Sequence, residues 1–262
     1  MAGMRRRALF AAALAASLAA GPACAAGRIA LIVDDMGNNR IAGLRALALP
    51  GAVTYAFLPG TRHAPELLDA ARAAGKEVML HLPMQARDHN DLLGPGALHA
   101  HMDREEFMRT VRYNIDQVPS AAGVNNHMGS LLTTRSEQMR WLMRVLRERG
   151  LYFLDSRTVA GSVAADVARA EGVPARVRDV FLDNTRSEIR IREAFAQLVR
   201  IARTHGSAIG IVHPHALSIA TVGADLARLD AHDVELVPLS TLLYETPESA
   251  QPAAMPVPNR QP

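Results

Sequence analysis

The sequence predicts an α/β protein, a single irregular (β/α) barrel of seven or eight mostly parallel strands. Short apolar runs alternate with helix-spaced segments seven or eight times between about residues 28 and 245, and such alternation implies a parallel sheet buried on both faces. Strand after strand ends in a polar or ionisable residue, as expected when one end of a barrel carries chemistry. A doubly wound open sheet is the competing architecture. No Gly-x-Gly-x-x-Gly follows the first strand, so a dinucleotide-binding sheet has no support.

Residues 1–25 read as a cleaved secretory signal peptide. Arg5, Arg6 and Arg7 form a basic start, an alanine-rich apolar run follows, and Ala23-Cys24-Ala25 has the small-residue form of a cleavage site. The apolar run is shorter than the roughly 20 residues needed to span a bilayer; an uncleaved anchor is the alternative. The expected location is periplasmic or secreted, with no stable membrane insertion after cleavage. The chain has 29 Lys+Arg and 26 Asp+Glu. Three of the arginines and none of the acids lie in the signal, so the mature domain carries 26 of each. With no basic stripe interleaved with aromatics, nucleic-acid binding is disfavoured. Cys24 is the sole cysteine, which excludes a disulfide, a thiol nucleophile or a cysteine metal ligand from the mature chain.

The expected domain covers residues 26–245. Its candidate strands are Arg28–Asp35, Val53–Leu58, Glu77–Leu82, Gly123–His127, Tyr152–Asp155, Val177–Asp183, Ala208–His213 and Glu235–Leu239. Helical spacing occupies Pro65–Ala74, Arg104–Gln117, Ser136–Arg149 and Ser187–Thr204. These segments stop at Gly75, before Pro119, at Gly150 and at Gly206. Asp103 and Ser136 stand where N-caps belong. The proline-rich stretch 246–262 lacks periodicity and reads as a disordered tail.

The polar strand ends are Asp34-Asp35, His81, Asn125-Asn126-His127, Asp155, Asp183-Asn184 and His213-Pro214-His215. An aspartate there is often the N-cap of the next helix, and a single histidine is often a hydrogen-bonded core residue. Asp155 and Asp183 also suit turns. Two adjacent aspartates are not both explained as caps, and six independent strands with polar residues at the same end point to one shared rim. Imidazoles and carboxylates without cysteine suit a divalent ion such as Zn²⁺ in a site with an open position, and the implied chemistry is metal-assisted hydrolysis. His63, His89, His99, His101, His205 and His232 read as solvated and receive no role. His215 stays open, because either ring of His-Pro-His could face the pocket.

Five segments, taken in order, resemble the divergent polysaccharide deacetylases, relatives of the NodB-type carbohydrate esterases. They are Ile32-Val33-Asp34-Asp35-Met36-Gly37, Leu80-His81-Leu82-Pro83-Met84, Asn125-Asn126-His127-Met128-Gly129-Ser130, Leu154-Asp155-Ser156-Arg157-Thr158 and Gly210-Ile211-Val212-His213-Pro214. The resemblance spans about 28–245. It implies a cell-envelope hydrolase that removes acyl groups, N-acetyl above all, from a carbohydrate or peptidoglycan-like substrate. Carried onto this chain, it makes Asp34 the catalytic base, Asp35 and His81 metal ligands, and His213 the general acid, oriented by Asp183 or Asp155.

Two departures stand out. The deacetylase motif has a second histidine four residues after the first, where this chain has Gln85. The Arg-Pro-Pro-Tyr-like segment is replaced by Asn126-His127-Met128-Gly129. His127 is therefore the expected third ligand, supplied by the next strand. The alternative is a catalytically impaired barrel that keeps a metal-stabilised cleft for a glycan or an envelope partner. Hydrolysis of a non-sugar amide or ester is a further alternative, and the low aromatic content, 4%, weighs slightly against a long sugar-stacking groove.

Overall fold

A computed structural model describes residues 27–244. The expected signal peptide and the expected proline-rich tail lie outside the described residues. In chain order the elements are β1 (Gly27–Met36), α1 (Arg40–Leu47), β2 (Thr54–Phe57), α2 (Ala64–Ala73), β3 (Glu77–Met84), α3 (Arg104–Asp116), β4 (Gly123–Met128), α4 (Ser136–Arg149) and β5 (Tyr152–Asp155). They continue with α5 (Ala164–Ala170), β6 (Ala175–Val177), β7 (Val180–Phe181), α6 (Glu188–His205), β8 (Ser207–Val212), α7 (Ala216–Leu226), β9 (Val234–Leu236) and α8 (Leu239–Tyr244).

Eight strands curl in the order β6-β5-β4-β3-β2-β1-β8-β7, and β9 pairs with the start of β1. Every ladder is parallel. The expected (β/α) barrel is the observed architecture. The one strand expected at Val177–Asp183 is instead two, β6 and β7, at opposite edges of the sheet. Arg178 and Asp179 bridge them: Arg178 N donates to Asp155 O at 3.0 Å and Asp179 N to Ile209 O at 2.9 Å. Asp179 Oδ2 also accepts from Ile209 N at 2.8 Å. A dipeptide thus stands in for the ladder that would close the barrel, which is why it is irregular.

Side chains of a strand alternate between faces, and here the alternation separates two apolar layers. Ile29, Leu31 and Val33 of β1, Val78, Leu80 and Leu82 of β3, Phe153 of β5 and Val212 of β8 pack outward against the helices. Ala30, Ile32, Ala56, Met79, Leu154, Ile209 and Ile211 fill the barrel interior. Leu239 and Leu242 of α8 plug its lower end. A polar belt seals the plug. Glu77 Oε1 accepts from Thr54 Oγ1 at 3.0 Å, Tyr152 OH at 3.1 Å and Ser240 N at 3.3 Å. Thr54 Oγ1 in turn accepts from Leu239 N at 3.1 Å.

Asp103 caps α3 as expected, accepting from Glu106 N at 2.8 Å. Ser136 does not cap α4. The cap residue is Arg135, without a side-chain bond, because the short turn Leu132–Thr134 runs directly into the helix and puts Ser136 inside it. Gly150 and Gly206 end α4 and α6 in the left-handed conformation. The helical spacing had not marked α1, α5, α7 or α8. The first two and the last are short, and α7 is apolar around most of its circumference.

Glu77→Ala leaves the Thr54 and Tyr152 hydroxyls and the Ser240 amide without their acceptor. The expected cost is about 2 kcal/mol, read as a lower urea midpoint with an unchanged denaturant slope. A midpoint equal to that of the parent protein contradicts a sealing role for this belt.

Candidate metal and catalytic site

The alternation that builds the core also aims the strand ends. Ala30 and Ile32 face inward, so Asp34 does too, and it is buried. In β3, His81 follows inward-facing Met79. Asn125 and His127 take the inward positions of β4, opposite the outward Val124. Phe181 leads by the same count to Asp183, and Ile211 leads to His213.

Asp35 would face outward on a regular strand. Instead β1 carries one extra residue relative to β2 between Val33 and Met36, and Asp35 sits at φ 56°. The bulge re-aims the side chain, so neighbouring carboxylates reach the same mouth. A left-handed aspartate is a strained feature of the kind that collects at functional sites. Gly37 follows at φ 115°, where a Cβ would lie 2.1 Å from Thr61 Oγ1, so the turn leaving the bulge requires glycine.

Asp35 Oδ1, His81 Nε2 and His127 Nδ1 form a near-equilateral triangle. The carboxylate oxygen lies 3.3 Å from His81 Nε2 and 3.1 Å from His127 Nδ1, and the two nitrogens are 3.1 Å apart. Donors about 2.0–2.1 Å from a tetrahedral zinc are separated by roughly 3.3 Å. This trio is the group of potential ligands found among the described residues. Asp35 Oδ1 is a buried acceptor without a hydrogen-bond partner, although both imidazole nitrogens lie close by. The short distances and the unpartnered carboxylate oxygen fit donors that converge on a shared point, and the donor set fits a divalent cation.

The tautomer of His81 follows from its neighbour. Asn125 Nδ2 donates to Asp34 Oδ1 at 2.8 Å, which turns its carbonyl oxygen towards His81 Nδ1 at 2.7 Å. His81 Nδ1 therefore carries the proton and Nε2 presents a lone pair to the triangle. Burial opposes charge on His81, but Asp34, Asp35 and Asn125 together push its pKa up. Burial likewise raises the Asp35 carboxyl, and the His127 and His81 rings outweigh it and hold the group well below the usual carboxylate range. The two shifts are two sides of one pairing: the carboxylates favour charge on the His81 ring, and the rings favour the ionised Asp35 carboxylate.

A second pair stands beside the first. His213 Nδ1 lies 2.9 Å from Asp183 Oδ1, and His213 N donates to Asp183 Oδ2 at 3.0 Å. Burial lowers the His213 pKa, but the hydrogen bond and charge of Asp183, with smaller contributions from Asp34 and Asp35, push it up to about 9. Asp183 is lowered by the same pairing against its own burial. With Nδ1 engaged, Nε2 is the nitrogen left to exchange a proton.

Asp155 takes no part in that pair. It has the outward position of β5, and its oxygens accept from Arg157 N at 2.8 Å and Ser162 Oγ at 2.6 Å. It shapes the turn after β5 instead of orienting His213. Gln85 is also structural: its Oε1 accepts from Ala100 N at 2.7 Å, which draws it to the 98–100 loop. A cleft of about 500 Å³ opens from Asp35 between the loops after β1 and β8, lined by Asn38, Ile41, Arg45, Pro214 and His215. Asn125 is the site residue that sequence reasoning gave no role. Its inward position two residues before His127 was the available signal.

The sequence matches the divergent polysaccharide deacetylase family over residues 31–243. The protein belongs to this family. It is 37% identical to the uncharacterized protein YibQ of Escherichia coli over 233 residues, covering 89% of this chain and 72% of that one. An uncharacterized protein of Haemophilus influenzae is 34% identical over 218 residues, covering 83% and 77%. Among solved structures, an uncharacterized protein of Agrobacterium tumefaciens superposes with a TM-score of 0.80 at 27% identity, covering 83% of this chain and 89% of that one. The catalytic domain of a peptidoglycan N-acetylglucosamine deacetylase from Eubacterium rectale superposes with a TM-score of 0.53 at 13% identity, covering 82% and 90%. At that identity the second likeness is one of fold. No described helix of this family member is long and apolar enough to cross a membrane.

The raised pKa of His213 fixes the sign of a pH effect. Stability from the His213–Asp183 pair is complete below the ordinary value of 6.5 and is lost as pH rises through about 9. Asp183→Asn is expected to return the His213 titration towards its ordinary value in an NMR pH series on the metal-free protein. An unchanged midpoint contradicts the pairing.

Proposed function

We propose that the protein is an exported, metal-dependent deacetylase that removes N-acetyl groups from an envelope carbohydrate or peptidoglycan-like polymer. The observation that carries this reading is the triangle of Asp35 Oδ1, His81 Nε2 and His127 Nδ1, with sides of 3.1–3.3 Å, set between a buried carboxylate and an Asp-His pair. Membership of the deacetylase family supplies the substrate class.

The triangle would hold the ion, zinc by the character of its donors. Such an ion, when bound, stabilises negative charge on an acyl oxygen and makes an attacking water more acidic. The remaining work falls to the chain. Asp34 is the general base: Asn125 holds Oδ1, and Oδ2 is the oxygen that takes the proton from the attacking water. His213 is the general acid. Asp183 keeps Nδ1, so the proton leaves from Nε2 to the departing amine. The cleft beside Asp35 receives the sugar next to the acyl group. The signal-like residues 1–25 support export.

Two observations favour a second reading, a barrel that binds glycan without turnover. Gln85 bonds Ala100 N, and no arginine stands in β4 where the deacetylase pattern has one.

With N-acetylated oligosaccharide as substrate, Asp34→Asn is expected to retain metal and lose roughly 10²–10⁴-fold in acetate release. His127→Ala is expected to lose both metal and acetate release. Full turnover in Asp34→Asn removes it as the base. Glycan binding by the parent protein without acetate release under several divalent ions establishes the second reading.

A further inference from the structure

Arg178 has a place in the fold that closing the barrel does not account for. It lies in the link between β6 and β7, and its side chain turns back over the rim. Nε donates to Ser156 O at 2.8 Å and Nη2 to Arg157 O at 3.2 Å. These carbonyls belong to the turn after β5, where Arg157 itself stands at φ 49°. Held there, the guanidinium carbon sits 3.7 Å from the centroid of the Phe181 ring. Phe181 in turn stacks on His213, with centroids 5.9 Å apart and planes 24° from parallel.

The order of contacts is therefore Arg178, Phe181, His213, Asp183. Asp183 holds His213 by one edge and by its backbone amide. A hydrogen bond along one edge leaves an imidazole free to tilt about that bond, and contact with its face removes the freedom. The face is supplied by Phe181, and Arg178 fixes Phe181 by stacking on it. A planar guanidinium can hold two carbonyls and lie against a ring at once, which an ammonium does not reproduce. Burial pulls the Arg178 pKa down from its ordinary value, and the charges of Asp155, Asp179 and Asp34 offset this only in part.

We propose that Arg178 is a positioning residue that acts through Phe181 to hold the His213 ring with Nε2 facing the reacting group. This rests on the reading of His213 as the proton donor. It assigns a function to a strand link, in a chain where the expected arginine of β4 is missing.

The test combines Arg178→Ala, Arg178→Lys, Phe181→Leu and the double variant Arg178→Ala/Phe181→Leu in the full chain. Phe181→Leu leaves the Arg178 hydrogen bonds and barrel closure intact, so it separates the ring contact from folding. Arg178→Ala and Phe181→Leu are each expected to move the His213 ring resonances and to lower kcat about 10-fold with little change in KM. The double variant is expected to be no worse than the poorer single, and lysine is expected not to restore the parent behaviour. Unmoved His213 resonances in Arg178→Ala, losses that multiply in the double variant, or full rescue by lysine each overturn the proposal. If the parent protein releases no acetate, the resonances alone decide, so failure of the deacetylase reading is distinguishable from failure of this one.

Discussion

The site depends on one break in the regularity of β1. A strand sends adjacent side chains to opposite faces, so Asp34 and Asp35 could not serve one pocket on an ideal strand. The extra residue between Val33 and Met36, with Asp35 at φ 56°, brings both carboxylates to the barrel mouth. His81, Asn125 and His127 need only the ordinary alternation of a parallel strand. The bulge therefore turns the mouth of a packed barrel into a pocket that two neighbouring carboxylates share.

Around that break, polar groups are arranged so that each fixes the next. Asp34 orients Asn125, Asn125 fixes the tautomer of His81, and His81 Nε2 then faces Asp35 and His127. On the other side Asp183 holds His213. Buried carboxylates are costly without a positive partner, and the upward pull on His81 and His213 expresses that demand. The apolar interior below the mouth, from Ile32 and Met79 to the α8 plug, keeps these groups at the top. The cleft beside Asp35 opens between the loops after β1 and β8.

Much of this was readable from residue order. The strand–helix alternation gave the barrel, and polar strand ends gave the rim. Alternation within each strand carries further information. Counted from Leu154, Asp155 has the outward position and stays out of the His213 pair, whereas Asn125 has the inward position of His127 and joins the site. The split of 177–183 into β6 and β7 was not legible, because Arg178 and Asp179 look like strand residues until the two sheet edges are known to lie on either side of them. The same holds for Asp35. Its left-handed backbone comes from pairing with β2, which no local pattern encodes. Gln85 marked a departure from the deacetylase motif in the sequence, but its bond to Ala100 N depends on a loop 15 residues away.

Anomalous diffraction from crystals soaked with zinc is expected to show one strong peak per chain about 2.0–2.2 Å from Asp35 Oδ1, His81 Nε2 and His127 Nδ1, with Asp34 still hydrogen-bonded to Asn125. A mouth that stays empty at saturating zinc, or a peak coordinated by other residues, would contradict the assignment of these three side chains as a metal centre.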